Sequence, residues 1–355
     1  MRRRRWSRTA PPSPARQQPS WSSSRATRAR LPPPVRTRCF RAARAHVNAR
    51  YPEHLRQEVE RYLQGMRFSS EALTAGLEEA MRYSLLAGGK RIRPVLALAT
   101  ARAVGLEQQE VLPLAGAIEL IHTYSLIHDD LPAMDDDDLR RGQPTCHVKF
   151  GEDVAILAGD GLYAEAFRHL LTHQRSAPAR VLGAAAELAA ATGVSGMVGG
   201  QYADVSPHTP PGGAALRRLH ELKTGRLIGA SVLCVLLLGG IVDGPATIAF
   251  RRFATEMGVL FQIVDDILDV TGTDDALGKP RGSDERHGKR TYVSEFGIER
   301  ARELAAESHR TARQALDEAA ARPPMGGAAE AASARGGHAT AELEQIVDFI
   351  YRRTS

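Results

Sequence analysis

Residues 127–142 read IHDDLPAMDDDDLRRG, and the remainder of the chain is best understood around this stretch. Six carboxylates fall among the ten residues from Asp129 to Asp138, and two arginines follow directly. Such a cluster repels itself unless cations neutralise it, so it is either well solvated or binds metal. Oxygen ligands suit a hard divalent ion such as Mg²⁺ or Ca²⁺, and neighbouring arginines suit a phosphate. Because residues 111–127 are strongly apolar, we expect the acids to lie at the end of a buried helix.

The composition excludes several classes of protein. Hydrophobic residues make up 43% of the 355 positions, which is enough for a substantial core. The three cysteines are scattered, which favours a reduced setting over a disulfide framework or a zinc site. Residues 1–52 hold 14 of the 47 basic residues and no acid, leaving 33 basic against 41 acidic side chains elsewhere. The basic balance therefore belongs to the N-terminal segment, and no nucleic-acid partner is predicted.

Residues 1–47 are rich in Arg, Pro, Ser and Ala and are predicted to form a disordered leader, whereas residues 48–355 are predicted to form one domain. The leader also fits a transit peptide for a plastid or mitochondrion, and an overextended gene start is a third interpretation. Lysine is absent before Lys90 although arginine is abundant, a bias typical of GC-rich bacterial genomes. We therefore expect a dispensable leader and a cytoplasmic protein.

From Leu55 onwards the apolar residues recur at the three- and four-residue spacing of a helix. Gly88-Gly89 is predicted to end one helix, and Pro94 to lie in the first turn of the next. Further helices are predicted at about 112–130, 153–173, 179–203, 214–238, 246–271, 297–321 and 340–353. No segment alternates with the period of a strand, so the predicted fold is all-α, a single large helical domain. The uncharged run Leu227–Val242 has 16 residues, short of the ~20 that span a bilayer, so no transmembrane segment is predicted.

The second acidic motif is FQIVDDILD at residues 261–269. On a helix, Gln262, Asp265, Asp266 and Asp269 occupy positions i, i+3, i+4 and i+7 and share one face. Carboxylates on a buried helix are costly unless they are paired or bind metal. An interior salt-bridge network is the alternative interpretation. We favour a metal site because the first acidic cluster also needs a partner.

Residues near the first cluster extend the pattern. His122 and Asp129 share one helical stripe, which makes a protonated His122 a candidate anion ligand. Pro132 interrupts the helix, so Asp135 can loop back towards Asp129. Lys90 and Arg93 lie one turn apart at a helix start, where backbone N–H groups also favour an anion. Acids and bases together fit Mg²⁺ bridging carboxylates to a diphosphate, with a second anion held directly by Lys and Arg.

With these residues, the chain resembles the short-chain trans-isoprenyl diphosphate synthases over about residues 55–355. The resemblance rests on several motifs in the family's order, and this ordered set is far more specific than any single acidic motif. The motifs are GGKRIRP (88–94), SLIHDDLPAMDDDDLRRG (125–142), GGQYADV (199–205), KTG (223–225), FQIVDDILDVTG (261–272), GKPRGSD (278–284) and GKRTY (288–292).

The resemblance implies an isoprenoid synthase fold around a deep central cavity, a homodimer, small diphosphate substrates, and Mg²⁺ as the cofactor with Mn²⁺ as a substitute. It implies metal-binding roles for Asp129, Asp130, Asp135, Asp265 and Asp269, with Asp266 in support, and a catalytic group of Asp129, Asp130, Asp135, Lys223 and Asp265. The implied isopentenyl diphosphate pocket comprises Lys90, Arg93, His122 and Arg141. The implied allylic diphosphate pocket comprises Arg140, Lys223, Thr224, Gln262 and Lys279.

Product length is predicted from Tyr124, five residues before Asp129. An aromatic residue there, with the lengthened aspartate motif, is similar to farnesyl synthases of bacterial type, so farnesyl diphosphate is the predicted product. Helical geometry places Tyr124 about 140° round from Asp129, so ordinary helix packing is an alternative role. Geranylgeranyl diphosphate is the alternative product. A class I terpene cyclase, which would not need Lys90, Arg93 and His122, a non-catalytic partner subunit and a simple ion-binding protein are more distant alternatives.

Overall fold

The structure is a computed structural model that describes residues 51–272, 288–321 and 340–353. Two parts of the prediction fall outside these ranges: the leader, residues 1–47, and Lys279 of the GKPRGSD motif. The leader and its boundary at residue 48 therefore remain predictions.

Helices dominate the described residues, which confirms the predicted all-α fold class. The helices are α1 (Glu53–Gly65), α2 (Ala75–Leu85), α3 (Ile92–Ala103), α4 (Gln108–Asp129), α5 (Cys146–Phe150), α6 (Glu152–His173), α7 (Pro178–Thr192), α8 (Met197–Val205), α9 (Gly213–His220), α10 (Arg226–Leu238), α11 (Pro245–Thr271), α12 (Tyr292–Phe296), α13 (Ile298–Ala321) and α14 (Ala341–Arg352), with a 3₁₀ turn at Ala72–Thr74 and a π-helical turn at Glu221–Gly225.

A short hairpin departs from the expectation that strands are not needed. Strands β1 (Leu139–Arg140) and β2 (Gln143–Pro144) pair antiparallel directly after the first acidic cluster. The turn between them is Arg141-Gly142, and both residues have positive φ, 54° and 74°. Positive φ at both central residues is typical of a tight two-residue hairpin turn. Each strand is only two residues long, which is too short for a period-two pattern to register.

Two predicted helices are divided in the structure. The segment predicted as one helix over 179–203 forms α7 and α8, separated by Gly193–Gly196. The segment predicted over 214–238 forms α9 and α10, and the π-helical turn Glu221–Gly225 lies between them. Such π turns are inserted into helices mostly at functional sites. This one carries the KTG motif.

The core is organised around α4, which contacts α3 and α6. α4 is buried on nearly all sides, with Leu114, Ile118 and Ile121 fully enclosed, as expected for a helix that is apolar all round. α11 packs against α10 and α13. The π-helical turn meets α11 backbone to backbone: a Cβ on Gly258 would lie 2.6 Å from Cα of Gly225. These contacts bring the ends of α4 and α11, with their acidic motifs, to one cavity.

Two helical stretches have the length and mean hydropathy of a membrane span, Gln108–Asp129 and Pro178–Val205. The first is α4, and 72% of its apolar window is buried inside the protein. The second is 39% buried and is interrupted between Thr192 and Met197. Core helices of globular proteins have the same length and hydropathy, so the two stretches are weak grounds for a membrane span.

Candidate active site

The predicted central cavity is present and has a volume of about 1370 Å³. Its wall is built by the start of α3, the end of α4, the hairpin turn, α8, the π-helical turn and the C-terminal half of α11. Nearly all of the predicted site residues that the structure describes line it. Those on its surface are Lys90, Arg93, His122, Tyr124, Asp129, Asp135, Arg140, Arg141, Lys223, Thr224, Gln262, Asp265 and Asp266.

The first acidic wall is formed by Asp129 and Asp135. α4 ends at Asp129, and the backbone N–H of Asp135 donates to the carbonyl of Asp129 over 2.8 Å. This bond confirms that the chain loops back after Pro132. Burial raises the pKa of Asp129 to about 6, with Asp135 adding to the rise and Lys223, Arg140 and Lys289 opposing it. Any cation that enters the cavity would therefore stabilise the ionised form of Asp129.

Asp130 has a different environment from its neighbour Asp129. It is buried, does not line the cavity, and binds the guanidinium of Arg140 through Nε at 2.7 Å and Nη2 at 2.5 Å. Asp137 lies 3.6 Å from the same guanidinium. The structure therefore gives Asp130 an arginine as its partner and places it behind the wall formed by Asp129 and Asp135.

The second acidic wall is Asp265 on α11, which is exposed to the cavity. Its neighbour Asp266 is buried: one carboxylate oxygen accepts from the backbone N–H of Tyr292 at 2.6 Å, and the other from Nε2 of Gln262 at 2.7 Å. Asp269 is buried and does not line the cavity. Of the predicted stripe, Gln262, Asp265 and Asp266 line the cavity, with Asp265 exposed and Asp266 hydrogen-bonded, whereas Asp269 lies in the interior.

One cationic group lies at the start of α3. The Nζ atom of Lys90 is 5.5 Å from the ring centre of Phe349, and Cζ of Arg93 is 5.6 Å from that of Phe261. Burial lowers the pKa of Lys90 to about 8 and that of Arg93 to about 10. Arg93 Nε is buried and has no hydrogen-bond partner among the described residues. Neither residue forms an ion pair with another described residue, and partly desolvated cations of this kind favour an incoming anion.

His122 and Arg141 complete this group. Arg93 Nη1 lies 3.3 Å from Nε2 of His122, and since arginine can only donate, His122 accepts. Burial and the neighbouring Arg93 and Arg141 hold the pKa of His122 well below its usual range. The histidine is therefore neutral in this arrangement, whereas the sequence argument used its protonated form. Arg141 packs against Gly89 and donates to the carbonyl of Gly88.

A second cationic group lies around the π-helical turn. Nζ of Lys223 binds Oδ2 of Asp204 at 2.6 Å, and Thr224 donates to Oε1 of Gln262 at 2.8 Å. Nζ of Lys289 binds Oδ2 of Asp135 at 2.7 Å. Lys223 and Lys289 both act on the pKa of Asp129, so this group surrounds the first acidic wall.

Several cavity residues were not assigned a role from the sequence, and four of them are polar or charged residues close to the predicted site. Asp204 and Gln201 belong to the GGQYADV motif, which was noted without a function for individual residues. Lys289 belongs to the GKRTY motif, likewise noted without a function for individual residues. Arg353 follows the last helix, and burial lowers its pKa while Asp265 opposes that change. No periodicity signals Arg353, because its position depends on how α14 docks.

Tyr124 lines the cavity on α4, with 8% of its surface exposed. Its ring meets Tyr163 of α6 edge to face at 5.0 Å and His128 at 5.7 Å. Phe167 continues the aromatic set behind Tyr163, at 5.4 Å. Tyr124 therefore both packs between two helices and presents a surface to the cavity.

The donor set fits a hard divalent ion. The carboxylates of Asp129, Asp135 and Asp265 offer oxygen, but among the described residues no three acidic, histidine or cysteine side chains form a ready-made metal cluster. Mg²⁺ keeps several waters and is commonly held by one or two carboxylates together with substrate phosphates. The arrangement fits an ion whose coordination a phosphate ligand completes.

Comparison with known proteins gives consistent results. The sequence profile of the polyprenyl synthetase family matches residues 74–322. The chain is 49% identical over 244 residues to "Geranylgeranyl pyrophosphate synthase, chloroplastic" of Capsicum annuum, covering 68% of this chain and 66% of that protein. It is 48% identical over 235 residues to farnesyl diphosphate synthase of Geobacillus stearothermophilus, covering 65% of this chain and 79% of that protein.

Among solved structures, the chain is similar to a geranyltransferase of Helicobacter pylori complexed with magnesium and isoprenyl diphosphate. The TM-score is 0.74 at 32% identity, over 84% of this chain and 96% of that one. The match with the Capsicum annuum protein spans slightly less than two thirds of that protein's length.

Proposed function

Because this chain belongs to the polyprenyl synthetase family, we propose that it is a Mg²⁺-dependent trans-prenyltransferase. It condenses isopentenyl diphosphate head-to-tail with an allylic diphosphate, dimethylallyl or geranyl diphosphate. One observation carries the proposal: a single cavity holds two carboxylate walls, Asp129 with Asp135 and Asp265, and two separate cationic groups. A reaction between two diphosphates needs two anion pockets, and only one of them needs to meet the metal-binding acids.

Asp129, Asp135 and Asp265 would hold Mg²⁺ together with the allylic diphosphate. When bound, Mg²⁺ would withdraw charge from that diphosphate and weaken its C–O bond to the prenyl group. Asp130 takes part by holding Arg140, and Asp266 by holding Gln262. Asp269 supports α11 from inside the protein. Mn²⁺ also accepts oxygen ligands and would substitute.

The second cationic group would bind the allylic diphosphate. Lys223, Arg140 and Lys289 surround Asp129 and would stabilise the charge that develops on the departing diphosphate. Thr224 and Gln262 are hydrogen-bonded to each other at 2.8 Å and would orient the same group. Lys279 stays a predicted member of this set.

The first cationic group, Lys90, Arg93 and Arg141 with His122, would bind isopentenyl diphosphate. Holding that diphosphate places its alkene next to the allylic cation, and the alkene carbon then forms the new C–C bond. The product loses one proton, for which the released diphosphate is the proposed base. The apolar part of the cavity excludes water that would otherwise capture the cation. The reaction as proposed needs no side-chain nucleophile.

We propose farnesyl diphosphate as the product, because Tyr124 presents its ring to the cavity and is braced by Tyr163 at 5.0 Å. Such a braced ring limits how far a prenyl chain extends below Asp129. Geranylgeranyl diphosphate is the alternative, and the similarity to the Capsicum annuum protein favours it.

The full chain incubated with isopentenyl diphosphate, Mg²⁺ and each allylic primer in turn tests the proposal, with the prenyl products sized by mass spectrometry. Dimethylallyl and geranyl diphosphate should both give farnesyl diphosphate. Extension of farnesyl diphosphate by one unit would support the alternative product. A hydrocarbon formed from one allylic diphosphate alone would support a terpene cyclase, and no condensation with any primer would contradict the proposal.

The proposed assembly is a homodimer in the cytoplasm. Adjacent helices α6 and α7 expose large apolar side chains outside the cavity, and exposed apolar patches of this kind mark interaction surfaces. Light scattering of the purified chain should give twice the mass of one chain. The exposed side chains that do not line the cavity are Leu157 and Leu171 of α6 and Leu182 of α7.

A further inference from the structure

Arg91 differs from the two basic residues next to it in the GGKRIRP motif. The side chains of Lys90 and Arg93 reach the cavity, where Lys90 Nζ lies over Phe349 and Arg93 Cζ over Phe261. The side chain of Arg91 is 0% exposed and lies between α1 and α4. All three residues line the cavity, but the guanidinium of Arg91 is paired in the interior with Glu60 and Glu119, whereas the cationic groups of Lys90 and Arg93 lie over aromatic rings.

Every nitrogen of the Arg91 guanidinium already has a partner. Nε donates to Glu60 at 2.9 Å, Nη1 to Glu119 at 2.6 Å, and Nη2 to the carbonyl of Leu85 at 2.7 Å. Burial lowers the pKa of Arg91, but Glu119 and Glu60 outweigh that effect and the pKa stays above its usual value. A guanidinium with all its nitrogens occupied is a tether and is unsuited to binding a ligand.

The tether holds an unusual backbone. Arg91 has φ 51° and ψ 38°, the left-handed conformation, immediately before α3 begins at Ile92. Non-glycine residues rarely adopt this conformation unless surrounding contacts impose it. The same turn is held from two other sides: Tyr51 donates to the carbonyl of Lys90 at 2.7 Å, and Arg141 donates to that of Gly88.

Charge gives Arg91 a second effect on the cavity. Glu119 is 1% exposed, lines the cavity wall, and has one carboxylate oxygen without a hydrogen-bond partner in the described part of the chain. Its charge acts on Arg93 and Arg141. Without the positive charge of Arg91, this carboxylate would stand uncompensated beside a pocket that must accept an anion.

We propose that Arg91 is a positioning residue: by tethering the Gly88–Arg91 turn to Glu60 and Glu119, it aims Lys90 and Arg93 at the isopentenyl diphosphate. The inference rests on the proposed function for the identity of that ligand. The tether itself follows from the contacts of Arg91. The ligand therefore meets Lys90 and Arg93, and Arg91 acts through them.

The test replaces Arg91 by methionine, which keeps bulk and removes the charge and all three contacts. Steady-state kinetics of the full chain should show KM for isopentenyl diphosphate raised at least 10-fold, while KM for the allylic diphosphate stays within twofold. A general loss of packing would change both constants together. An isopentenyl diphosphate KM within twofold of wild type would overturn the proposal.

A double variant separates positioning from charge balance. Arg91→Met with Glu119→Gln removes the uncompensated carboxylate, so thermal stability should recover relative to Arg91→Met. The KM for isopentenyl diphosphate should stay raised, because the turn is still untethered. If this KM returned to the wild-type value, Arg91 would act only by neutralising Glu119, and the positioning role would be overturned. If Arg91→Met does not fold, Arg91→Lys replaces it under the same criterion, since lysine keeps the charge but cannot bind two carboxylates and a carbonyl at once.

A binding experiment keeps the inference testable apart from turnover. Inorganic pyrophosphate is titrated calorimetrically into a Lys223→Ala chain in EDTA, which suppresses the second anion pocket and removes metal. Adding Arg91→Met should weaken this binding at least 10-fold, and equal affinity, or no binding before Arg91 is changed, would overturn the inference. Pyrophosphate binding without condensation activity would reject the proposed function alone. Arg313→Met is the matched control, because it removes an Arg–Glu pair (2.8 Å to Glu344) away from the cavity and should leave KM and affinity unchanged.

Discussion

The backbone N–H of Asp135 donates to the carbonyl of Asp129 over 2.8 Å, and this bond folds the seven residues from Asp129 to Asp135 into a loop that presents both carboxylates to one cavity. The loop follows from Pro132, which prevents α4 from continuing, and from Asp136, which adopts φ 50°. Two acids on one wall, with a third on α11, give the chain its capacity for a divalent ion.

Replacing Asp129 or Asp265 by asparagine should lower kcat at least ~1000-fold, roughly 4 kcal/mol of transition-state stabilisation. Asparagine keeps the shape of the side chain and removes the charge that would hold Mg²⁺. Condensation assays measure the loss, and circular dichroism checks that the helices remain. Asp243→Asn, on the exposed connection before α11, is the control and should behave as wild type. Near-normal turnover in either site variant would remove the proposed metal-binding role.

Asp130→Asn should behave differently from Asp129→Asn. It breaks the contact with Arg140 and leaves that cation without its main partner, so KM for the allylic diphosphate should rise about 10- to 100-fold. The Mg²⁺ concentration for half-maximal activity should change by less than twofold, because Asp130 does not line the cavity. A large shift in the Mg²⁺ requirement would show that Asp130 contacts the metal after all.

Tyr124→Ala should lengthen the product beyond farnesyl diphosphate, since it removes the ring that stands in the cavity against Tyr163. Tyr124→Phe, which keeps the ring and loses the hydroxyl, should leave product length unchanged. Product sizing by mass spectrometry distinguishes the two variants. The same product spectrum from Tyr124→Ala as from wild type would leave Tyr124 with a packing role only.

The pH dependence should report Lys90. Burial lowers its pKa to about 8, so in the free enzyme the ammonium loses its charge as pH rises through 8. Binding of isopentenyl diphosphate needs that charge, and kcat/KM for this substrate should therefore fall above pH 8 while kcat changes less. Lys90→Arg keeps its charge at these pH values and should extend the plateau upward. A profile that Lys90→Arg leaves unmoved would assign the titration to another group.

Removing divalent ions should abolish turnover and leave the fold intact. In the structure the carboxylate of Asp135 is bound by Lys289 at 2.7 Å, and α4 and α11 are held by their apolar cores, so the fold does not depend on a metal. EDTA should leave helical content unchanged and shift Tm by less than ~2 °C, equivalent to about 1 kcal/mol or less. Mg²⁺ or Mn²⁺ should restore activity. Unfolding in EDTA would instead indicate a structural metal.

Periodicity and motif order predicted much of this molecule. The spacing of apolar residues identified α4 and α11, and the motifs identified most residues that line the cavity. The orientation of individual side chains was not predictable: Asp129 and Asp130 are adjacent in sequence, yet one faces the cavity and the other binds Arg140. Arg91 and Arg93 have different partners because the backbone of Arg91 is left-handed. An arginine at this position does not predict that conformation.

Some features that were not predicted have a recognisable signal in the sequence, and others do not. Gly193 and Gly196 mark the break between α7 and α8 and could have been used to divide the predicted helix. The π-helical turn at Glu221–Gly225 has no such signal, because a π turn inserts one extra residue into a helix without interrupting the helical spacing of apolar residues. Arg353 reaches the cavity only through the docking of α14.

Gly225 and Gly258 touch through their backbones, and that contact sets the distance between Lys223-Thr224 and Gln262–Asp265. A substitution cannot shorten the main chain, so the backbone fixes the width of the cavity where the diphosphates would bind. At Tyr124, by contrast, the cavity is lined by a side chain, braced by Tyr163, that a single substitution can shorten or enlarge. Under the proposed function, evolution can therefore change the length of the prenyl product through one side chain. The spacing of the residues that act on the diphosphates stays the same.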